Sequence, residues 1–244
     1  MQFLKSKPAE EFLLGIKLTL PLILSTLPFG FTYGALALDQ KLTWLQAQSF
    51  SVVLYAGSSQ MVALKMASVG STAFAIILQV FLLNIRHLLY SASVAWRVVA
   101  LHWPQKIFLA YFLTDEAYVA TLQHWPKKNS DFPWVFLGAG LFLWFDWQVS
   151  TFLGIAFRSY YQGGISFDFL FVIFLVATTA KGLKQIPNLL AVLGAAFAFF
   201  FFHGFTPSGA QFFVFSSFSL FTGYCGLKFF PFQPPTQIVP KKTS

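Results

Sequence analysis

Long apolar segments alternate with short polar connections along the chain, and their lengths predict helices that span a membrane. The first three cover residues 12–38, 44–68 and 72–99, each long enough for the roughly 20 residues that cross a bilayer as a helix. Further apolar segments cover 133–157, 167–183, 187–203 and 210–230. The pattern predicts an all-α fold, a polytopic membrane helix bundle with about seven or eight membrane elements.

Residues 107–124 leave the number of crossings open, because this segment is short and contains Asp115 and Glu116. It either crosses the membrane or re-enters it from one side. Basic residues are enriched in cytoplasmic loops, which gives a test of topology. With eight elements and both termini inside, the cytoplasmic residues are Lys5, Lys7, Lys65, Lys127, Lys128, Lys181, Lys184, Lys228, Lys241 and Lys242, against Lys41, Arg97, Lys106 and Arg158 outside.

Seven elements with an external N-terminus divide the basic residues in the same way. We expect eight elements with both termini inside, because no signal sequence would export the N-terminus. The apolar stretch that begins at Phe12 is longer than the core of a cleavable signal and is interpreted as a retained first helix. The chain is then one membrane domain over 1–244. Its parts are a cytoplasmic N-terminus (1–11), membrane helices (12–230) and a flexible C-terminal tail (231–244).

Helix-breaking residues are concentrated in the first half of the chain. Pro21, Pro28, Gly30 and Gly34 predict that the first helix is kinked or broken, and "YAGSSQ" (55–60) predicts a polar break in the second. Broken helices expose N–H and C=O groups that can bind an amino acid at mid-membrane. The substrate-binding residues predicted on this basis are Pro28, Gly30, Gly34, Gly57, Ser59 and Gln60. For Gly30 and Gly34, close helix packing is the competing interpretation.

The third apolar segment contains the stretch "LLNIRHLLYS" (82–91), with Asn84, Arg86 and His87. An ionisable group at membrane depth costs at least about 2.5–3.5 kcal/mol on insertion scales, which favours a functional role. Asn84 and His87 share one helix face, and Arg86 lies on the adjacent face. Asn84 and Arg86 are candidates for substrate binding. The alternative is that Arg86 extends to the membrane interface and His87 is merely hydrogen-bonded.

Asp115 and Glu116 are the natural counter-charges for Arg86, because an Arg–carboxylate pair is the least costly way to hold either charge in a low-dielectric region. Either acid can instead bind a substrate ammonium or exchange a proton, and a purely structural ion pair is the alternative. His87 is a second candidate for proton coupling. Asp146, in "FLWFDWQVS", is a third buried acid, either protonated and structural or part of a proton relay.

The composition excludes several classes of protein. Hydrophobic residues make up 57% of the chain and charged residues only 10%, whereas soluble domains carry about 25% charged residues. The net charge of +8 comes without the basic, aromatic-interleaved run that indicates nucleic-acid binding. The only cysteine is Cys225, and the four histidines lack metal-ligand spacing. Enzyme motifs are absent, so we expect no enzyme activity, no cofactor and no metal.

Four motifs in the same order, "LPFGFTYGAL", "YAGSSQ", "LLNIRHLLYS" and "LTDEAY", resemble the AzlC family of branched-chain amino acid exporters. The family positions fall on Pro28, Phe29, Gly30, Gly34, Gly57, Ser59, Gln60, Asn84, Arg86, His87, Asp115 and Glu116. The resemblance covers residues 12–125, and Tyr118 departs from it. It implies export of leucine, isoleucine, valine and their analogues, together with a small membrane subunit of the AzlD type.

The sequence therefore predicts a multi-pass inner-membrane transporter that exports branched-chain or other hydrophobic amino acids. Proton coupling is expected through His87 and the carboxylates, and an AzlD-type subunit is the expected partner. A channel-like or scaffolding subunit, whose buried charges bind a partner, is the alternative. An intramembrane enzyme using His87, Asp115 and Glu116 is a third, weaker alternative.

Overall fold

The computed structural model describes residues 8–122, 132–161, 163, 186–202, 204–205 and 208–229. These residues form helices and connecting turns, and the described part of the chain contains no strand. Three of its helical stretches, Pro8–Asp39, Ala73–Arg97 and Phe132–Tyr160, are long and apolar enough to cross a membrane. The predicted all-α, polytopic membrane architecture is confirmed. The described residues do not settle the number of crossings.

The chain divides into two compact units, one ending at Phe171 and the other beginning at Val172. In the first, the helices are α1 (Pro8–Thr19), α2 (Ile23–Asp39), α3 (Trp44–Val53), α4 (Gly57–Ser68), α5 (Ala73–Asn84), α6 (Arg86–Val94), α7 (Trp103–Tyr111), α8 (Asp115–Leu122) and α9 (Phe132–Tyr160). The second contains α10 (Ile186–Phe202) and α11 (Ser208–Phe229). The predicted segment 167–183, the loop containing Lys127 and Lys128, and the tail 231–244 lie outside the described residues.

The first apolar segment is broken, as predicted. A 3₁₀ turn at Leu20–Leu22 separates α1 from α2, with Pro21 in its first positions, where a missing N–H is tolerated. Pro28 lies inside α2. Near the turn, the Ser25 and Thr26 hydroxyls donate to the Leu22 carbonyl, so side chains satisfy a backbone acceptor that the irregular geometry exposes.

The break in the second apolar segment is shorter than predicted. It covers only Leu54–Ala56, and Gly57–Gln60 form the first turn of α4 instead of an irregular stretch. Small and polar side chains fit this position because a first helical turn leaves its N–H groups without intrahelical partners. The other end of α3 is fixed by a capping box, in which Thr43 and Gln46 exchange side-chain-to-backbone hydrogen bonds.

The third segment and residues 107–124 are also broken, and the sequence predicted neither break. Ile85 interrupts the helix between α5 and α6, next to Arg86. A 3₁₀ turn at Ala95–Arg97 then ends the segment. Pro104 lies in the first turn of α7, where proline is favoured. Phe112–Thr114 separates α7 from α8, so Asp115 begins a new helix.

Helix α9 is the packing centre of the first unit and runs along α1 and α2. Its glycines allow backbones to approach closely. A Cβ at Gly138 would collide with the Phe12 carbonyl oxygen, and one at Gly154 with the Phe31 carbonyl oxygen. Such small-residue contacts are the usual means of close helix association in membranes. This packing positions the breaks in α1–α2 and α3–α4 against one long helix.

Helices α10 and α11 form the second unit and pack through small and aromatic residues. A Cβ at Gly194 would collide with the Thr222 side chain, so the helices approach closely there. Phe197 and Phe218 lie with ring centroids 6.3 Å apart, and Phe199 contacts Phe215 edge to face. Part of the phenylalanine content therefore fills the space between helices, while Phe200 is exposed.

Candidate functional site

Arg86 and Asp115 form an ion pair at the start of two short helices. Arg86 is the first residue of α6 and Asp115 the first of α8. Arg86 Nη1 lies 2.6 Å from Asp115 Oδ2, and Arg86 Nη2 donates to the Ser58 hydroxyl of α4 at 3.1 Å. The first turns of three helices therefore converge on one guanidinium. The structure brings together the arginine and the carboxylate that the sequence suggested as partners.

This ion pair is incompletely hydrogen-bonded. Arg86 Nε and Asp115 Oδ1 are both buried, and neither has a hydrogen-bond partner in the described part of the chain. Arg86 therefore binds Asp115 through one nitrogen instead of the two parallel bonds of a bidentate pair. Unpartnered polar atoms in a low-dielectric region are costly, so these two atoms are available for a ligand or for water.

His87 lies on the opposite side of Asp115 from the guanidinium contact. Its Nδ1 is 3.1 Å from the Asn84 carbonyl oxygen, which can only accept, so Nδ1 carries the proton in this hydrogen bond. Its Nε2 is then the atom that gains or loses a proton, and it lies 4.0 Å from Asp115 Oδ1. The arrangement places a titratable nitrogen beside the unpartnered oxygen of Asp115.

Tyrosines surround the ion pair on the side of α6 and α8. The rings of Tyr90 and Tyr118 stack with centroids 4.4 Å apart, and Ser93 donates to the Tyr118 hydroxyl. Tyr90 also contacts the His87 ring edge to face and interacts electrostatically with Asp115. Tyr118, the position that departs from the family pattern, is therefore part of the wall of the site.

The start of α4 gathers further polar groups. Ser59 donates to Oδ1 of Asn84, which links this turn to the end of α5. Ala56 precedes the helix without a side-chain cap, so the first N–H groups of α4 have no capping side chain. Gln60 is fully buried, and both atoms of its amide lack a hydrogen-bond partner among the described residues. Such a turn favours an anion, because its N–H groups point outward with the positive end of the helix dipole.

Gly57 lies in the aromatic wall of this turn. A Cβ at Gly57 would come within 2.6 Å of Trp147 and 3.0 Å of Phe29. Phe29 packs edge to face on Trp147, and the buried indole N–H of Trp147 has no acceptor among the described residues. A glycine is thus required for the rings to approach the α4 backbone, and a second unpartnered donor lies near the same turn.

Gly30 and Gly34 lie in a helix interface. A Cβ at Gly34 would collide with the Thr151 carbonyl oxygen of α9, and one at Gly30 would come within 2.7 Å of Ser150 Cβ. Pro28 is one turn from this interface, and its carbonyl accepts from the Thr32 hydroxyl. The structure therefore favours the packing interpretation of Gly30 and Gly34 over a role as exposed backbone.

The two remaining acids occupy different surroundings. Asp146 accepts a hydrogen bond of 2.6 Å from Thr26, beside the break between α1 and α2, and forms no ion pair in the described part of the chain. Glu116 interacts electrostatically with both Asp115 and Arg86. Tyr55, in the α3–α4 break, interacts with Glu116 and with Asp146. Glu116 therefore belongs to the charged cluster, whereas Asp146 lies beside it and is held by a hydroxyl.

Sequence reasoning missed one component of this site and a second ion pair outside it. Ser58 was part of the quoted "YAGSSQ" motif, but nothing along the chain distinguished it from Ser59 as the arginine partner. A second ion pair, between Arg158 of α9 and Asp39 at the end of α2, was also missed. Asp39 and Arg158 each lie at the end of an apolar segment, and their opposite charges were the available signal for that pair.

The fold defines the class first: this is a polytopic helical membrane protein, and the first turns of three of its helices meet at an ion pair. The family model described as AzlC protein matches residues 21–160, more than half of the chain. The chain belongs to the AzlC family, which confirms the resemblance carried by the four motifs. The matched region contains the Arg86–Asp115 pair and the start of α4.

Curated relatives are membrane proteins by name. The chain is 30% identical over 149 residues to the inner membrane protein YgaZ of Escherichia coli (strain K12), covering 60% of each chain. It is 30% identical over 141 residues to an uncharacterized membrane protein of Archaeoglobus fulgidus, covering 58% of this chain and 60% of that one. A match in Helicobacter pylori (strain 26695) has 29% identity, covering 49% of this chain and 54% of that one.

The chain thus spans about 60% of the length of the first two of these relatives. No solved structure matches it significantly.

Proposed function

We propose that this chain is the large subunit of an inner-membrane exporter for branched-chain and other hydrophobic amino acids. The observation that carries the proposal is the incompletely bonded Arg86–Asp115 pair beside the uncapped start of α4. A zwitterionic substrate needs one cation and one anion at short range, and this cluster supplies both. Membership of the AzlC family and the membrane proteins among its relatives support a role in transport.

Substrate binding is proposed to exchange partners within the ion pair. The amino acid carboxylate binds Arg86 and the first N–H groups of α4, where Gln60 can donate as well. Asp115, released from the guanidinium, then binds the substrate ammonium, with Glu116 as the second acid nearby. The exchange keeps each charge paired throughout, which avoids the cost of an isolated charge in a low-dielectric cavity.

Proton coupling is proposed at His87 and Asp115. The Nε2 atom of His87 faces Asp115 Oδ1 at 4.0 Å, so a small side-chain movement brings the two atoms within the distance at which a proton can pass. Protonation of Asp115 weakens its hold on both Arg86 and the substrate ammonium. Substrate release is thereby linked to uptake of a proton.

A small AzlD-type membrane subunit is proposed as the partner, on the strength of the family resemblance. The outer faces of α5 and α6 carry exposed large apolar side chains, among them Phe74, Leu88 and Leu89. Such faces need lipid or protein cover. We propose that the functional unit combines this chain with the small subunit in the inner membrane.

The test is counterflow of labelled leucine into liposomes that contain the purified chain, with and without a candidate small subunit, at several pH values. Leucine-loaded liposomes should accumulate label faster than protein-free ones. Failure of both preparations to exchange leucine, valine or isoleucine, with the protein correctly folded, would contradict the proposal.

A channel-like or scaffolding subunit is the second candidate, because Arg86 is already paired with Asp115 and Ser58 inside the chain. In that case the pair only holds helices or a partner in place. Ion-like flux without saturation by leucine would favour a channel. Efflux that is carried by the partner alone would favour a scaffold. An intramembrane enzyme predicts covalent turnover of leucine, which chromatography of the recovered label detects.

A further inference from the structure

An apolar cavity of about 220 Å³ lies between α6, α7 and the first turns of α9. Val94 of α6, Leu109 and Ala110 of α7, and Phe132 and Phe136 of α9 form most of its wall. Among the described residues, the polar ones that line it are Ser91 and Lys106, and the rest of this lining is apolar. Such an apolar wall does not stabilise a charged group, but it can exclude water around an apolar side chain.

The cavity and the ion pair share the same structural elements. Ser91 lines the cavity and lies five residues after Arg86, and Leu113 lines it two residues before Asp115. Tyr90 and Tyr118 pack against the apolar cluster that contains Val94 and Leu113, and Tyr90 also interacts with Asp115. Ser91 and Leu113 therefore mark the end of the cavity that lies nearest to the ion pair along these helices.

The volume of the cavity exceeds what a branched aliphatic side chain requires. An enclosed apolar cavity of about 150 Å³, lined by aliphatic and aromatic side chains, is large enough to bind benzene. The present cavity is larger and includes two phenylalanine rings in its wall, which can pack against another ring edge to face or offset. A phenyl ring fits within it.

We propose that this cavity is the side-chain pocket of the transporter and that it admits the phenyl ring of phenylalanine as well as branched aliphatic side chains. The inference rests on the proposed function, because the charged end of the substrate is taken to bind at Arg86 and Asp115. Ala95 and Ala110 set the size limit, since they are the smallest residues of the wall.

Two filling variants and one enlarging variant test the pocket. Ala110→Leu and Ala95→Leu add bulk from two different sides, whereas Val94→Ala removes it. Ala92→Leu is the matched control, because Ala92 is exposed, as Ala95 and Ala110 are, but does not line the cavity. Each variant is accepted only if it is expressed in the membrane and elutes as the parent chain does.

The experiment uses the full chain, with its small subunit if leucine counterflow requires one. Liposomes preloaded with unlabelled phenylalanine, valine or leucine are tested for uptake of labelled leucine. Phenylalanine should drive uptake in the parent chain. Either filling variant should lower the phenylalanine-to-valine ratio by about tenfold or more, because overpacking a close-fitting site is strongly unfavourable. Val94→Ala should raise that ratio, and Ala92→Leu should leave it unchanged.

The outcomes separate this inference from the function on which it rests. If leucine exchanges but phenylalanine does not, the pocket assignment is wrong and the exporter proposal stands. An unchanged ratio in both filling variants also overturns the assignment, since the cavity is then occupied by lipid or is empty. If none of the three amino acids exchanges, the proposed function fails, and the pocket fails with it.

Discussion

Arg86 and Asp115 each begin a short helix, and their side chains meet with Arg86 Nη1 at 2.6 Å from Asp115 Oδ2. The two helix starts have opposite consequences for these charges. The positive end of the α8 dipole stabilises the Asp115 carboxylate, whereas the start of α6 does not favour a cation. Arg86 is therefore held mainly by Asp115 and Ser58, and its position depends on that contact.

Removing the ion pair should abolish transport even where the fold survives. Arg86→Gln or Asp115→Asn leaves one charge without its partner in a partly buried cluster, so both single variants should lower the protein level as well as leucine counterflow. The double variant Arg86→Gln/Asp115→Asn removes both charges and should recover protein levels. We expect it to retain less than about a tenth of the counterflow, since neither end of the zwitterion is then bound.

The double variant distinguishes a role in substrate binding from a purely structural role of the ion pair. Lys17→Gln is a suitable control, because it removes the charge of an exposed residue of α1 that lies outside both the charged cluster and the proposed pocket. Near-normal leucine counterflow in the double variant, at normal protein levels, would show that Arg86 and Asp115 have only a structural role. Arg86→Lys should be intermediate, because a lysine keeps the charge but loses the planar donor geometry.

The Arg86–Asp115 contact could be predicted from the sequence, because an isolated charge at membrane depth is so costly that its partner must lie nearby. The break at Ile85 could not be predicted from the sequence, because neither isoleucine nor the residues on either side of it are helix breakers. Only the tertiary packing shows that Gly30 and Gly34 face the backbone and side chains of α9.

Gln60 should matter for transport more than for stability. Its amide is fully buried without partners, so replacement by a volume-matched apolar residue removes an unsatisfied group and costs the fold little. Gln60→Met should leave the thermal unfolding midpoint unchanged or higher. The KM for leucine should rise by about tenfold, corresponding to one lost hydrogen bond to a charged substrate group. Thermal unfolding in detergent and initial uptake rates provide the two measurements.

Gln48→Met is the matched comparison for Gln60. Gln48 donates to Gln148 Oε1 at 2.8 Å, so its loss leaves a partially buried acceptor unpaired and should lower the unfolding midpoint. An unchanged KM in Gln60→Met would indicate that water, and not the substrate, occupies the space beside Gln60.

Gly34 should be essential for packing. The Thr151 carbonyl oxygen occupies the place of a Cβ, and because it is backbone it cannot rotate away. Gly34→Ala should therefore separate α2 from α9 and destabilise the protein by about 1–3 kcal/mol, seen as a lower unfolding midpoint. Gly204→Ala is the control, since no atom of the described residues lies within 4 Å of a Cβ built there. Equal unfolding midpoints for the two variants would contradict the close α2–α9 contact.

His87 should control how transport depends on pH, but it should not be needed for the exchange of leucine in counterflow. Its Nδ1 proton is committed to the Asn84 carbonyl, so only Nε2 is free to exchange a proton with Asp115. His87→Asn keeps a short side-chain donor near that carbonyl but removes the titratable nitrogen. Leucine counterflow, which needs no net proton movement, should persist. Accumulation driven by an imposed pH gradient should fall by about tenfold, as expected when a positioned proton carrier is lost.

Arg86, Asp115 and Tyr90 are the charged or titratable groups that interact with His87, and all three remain in this variant. A change in counterflow would therefore report damage to the binding site, whereas a selective loss of gradient-driven accumulation reports the proton step. His102→Asn is the control, because His102 precedes α7 at an exposed position. If His87→Asn keeps the full response to the pH gradient, the proton passes through the carboxylates without the histidine.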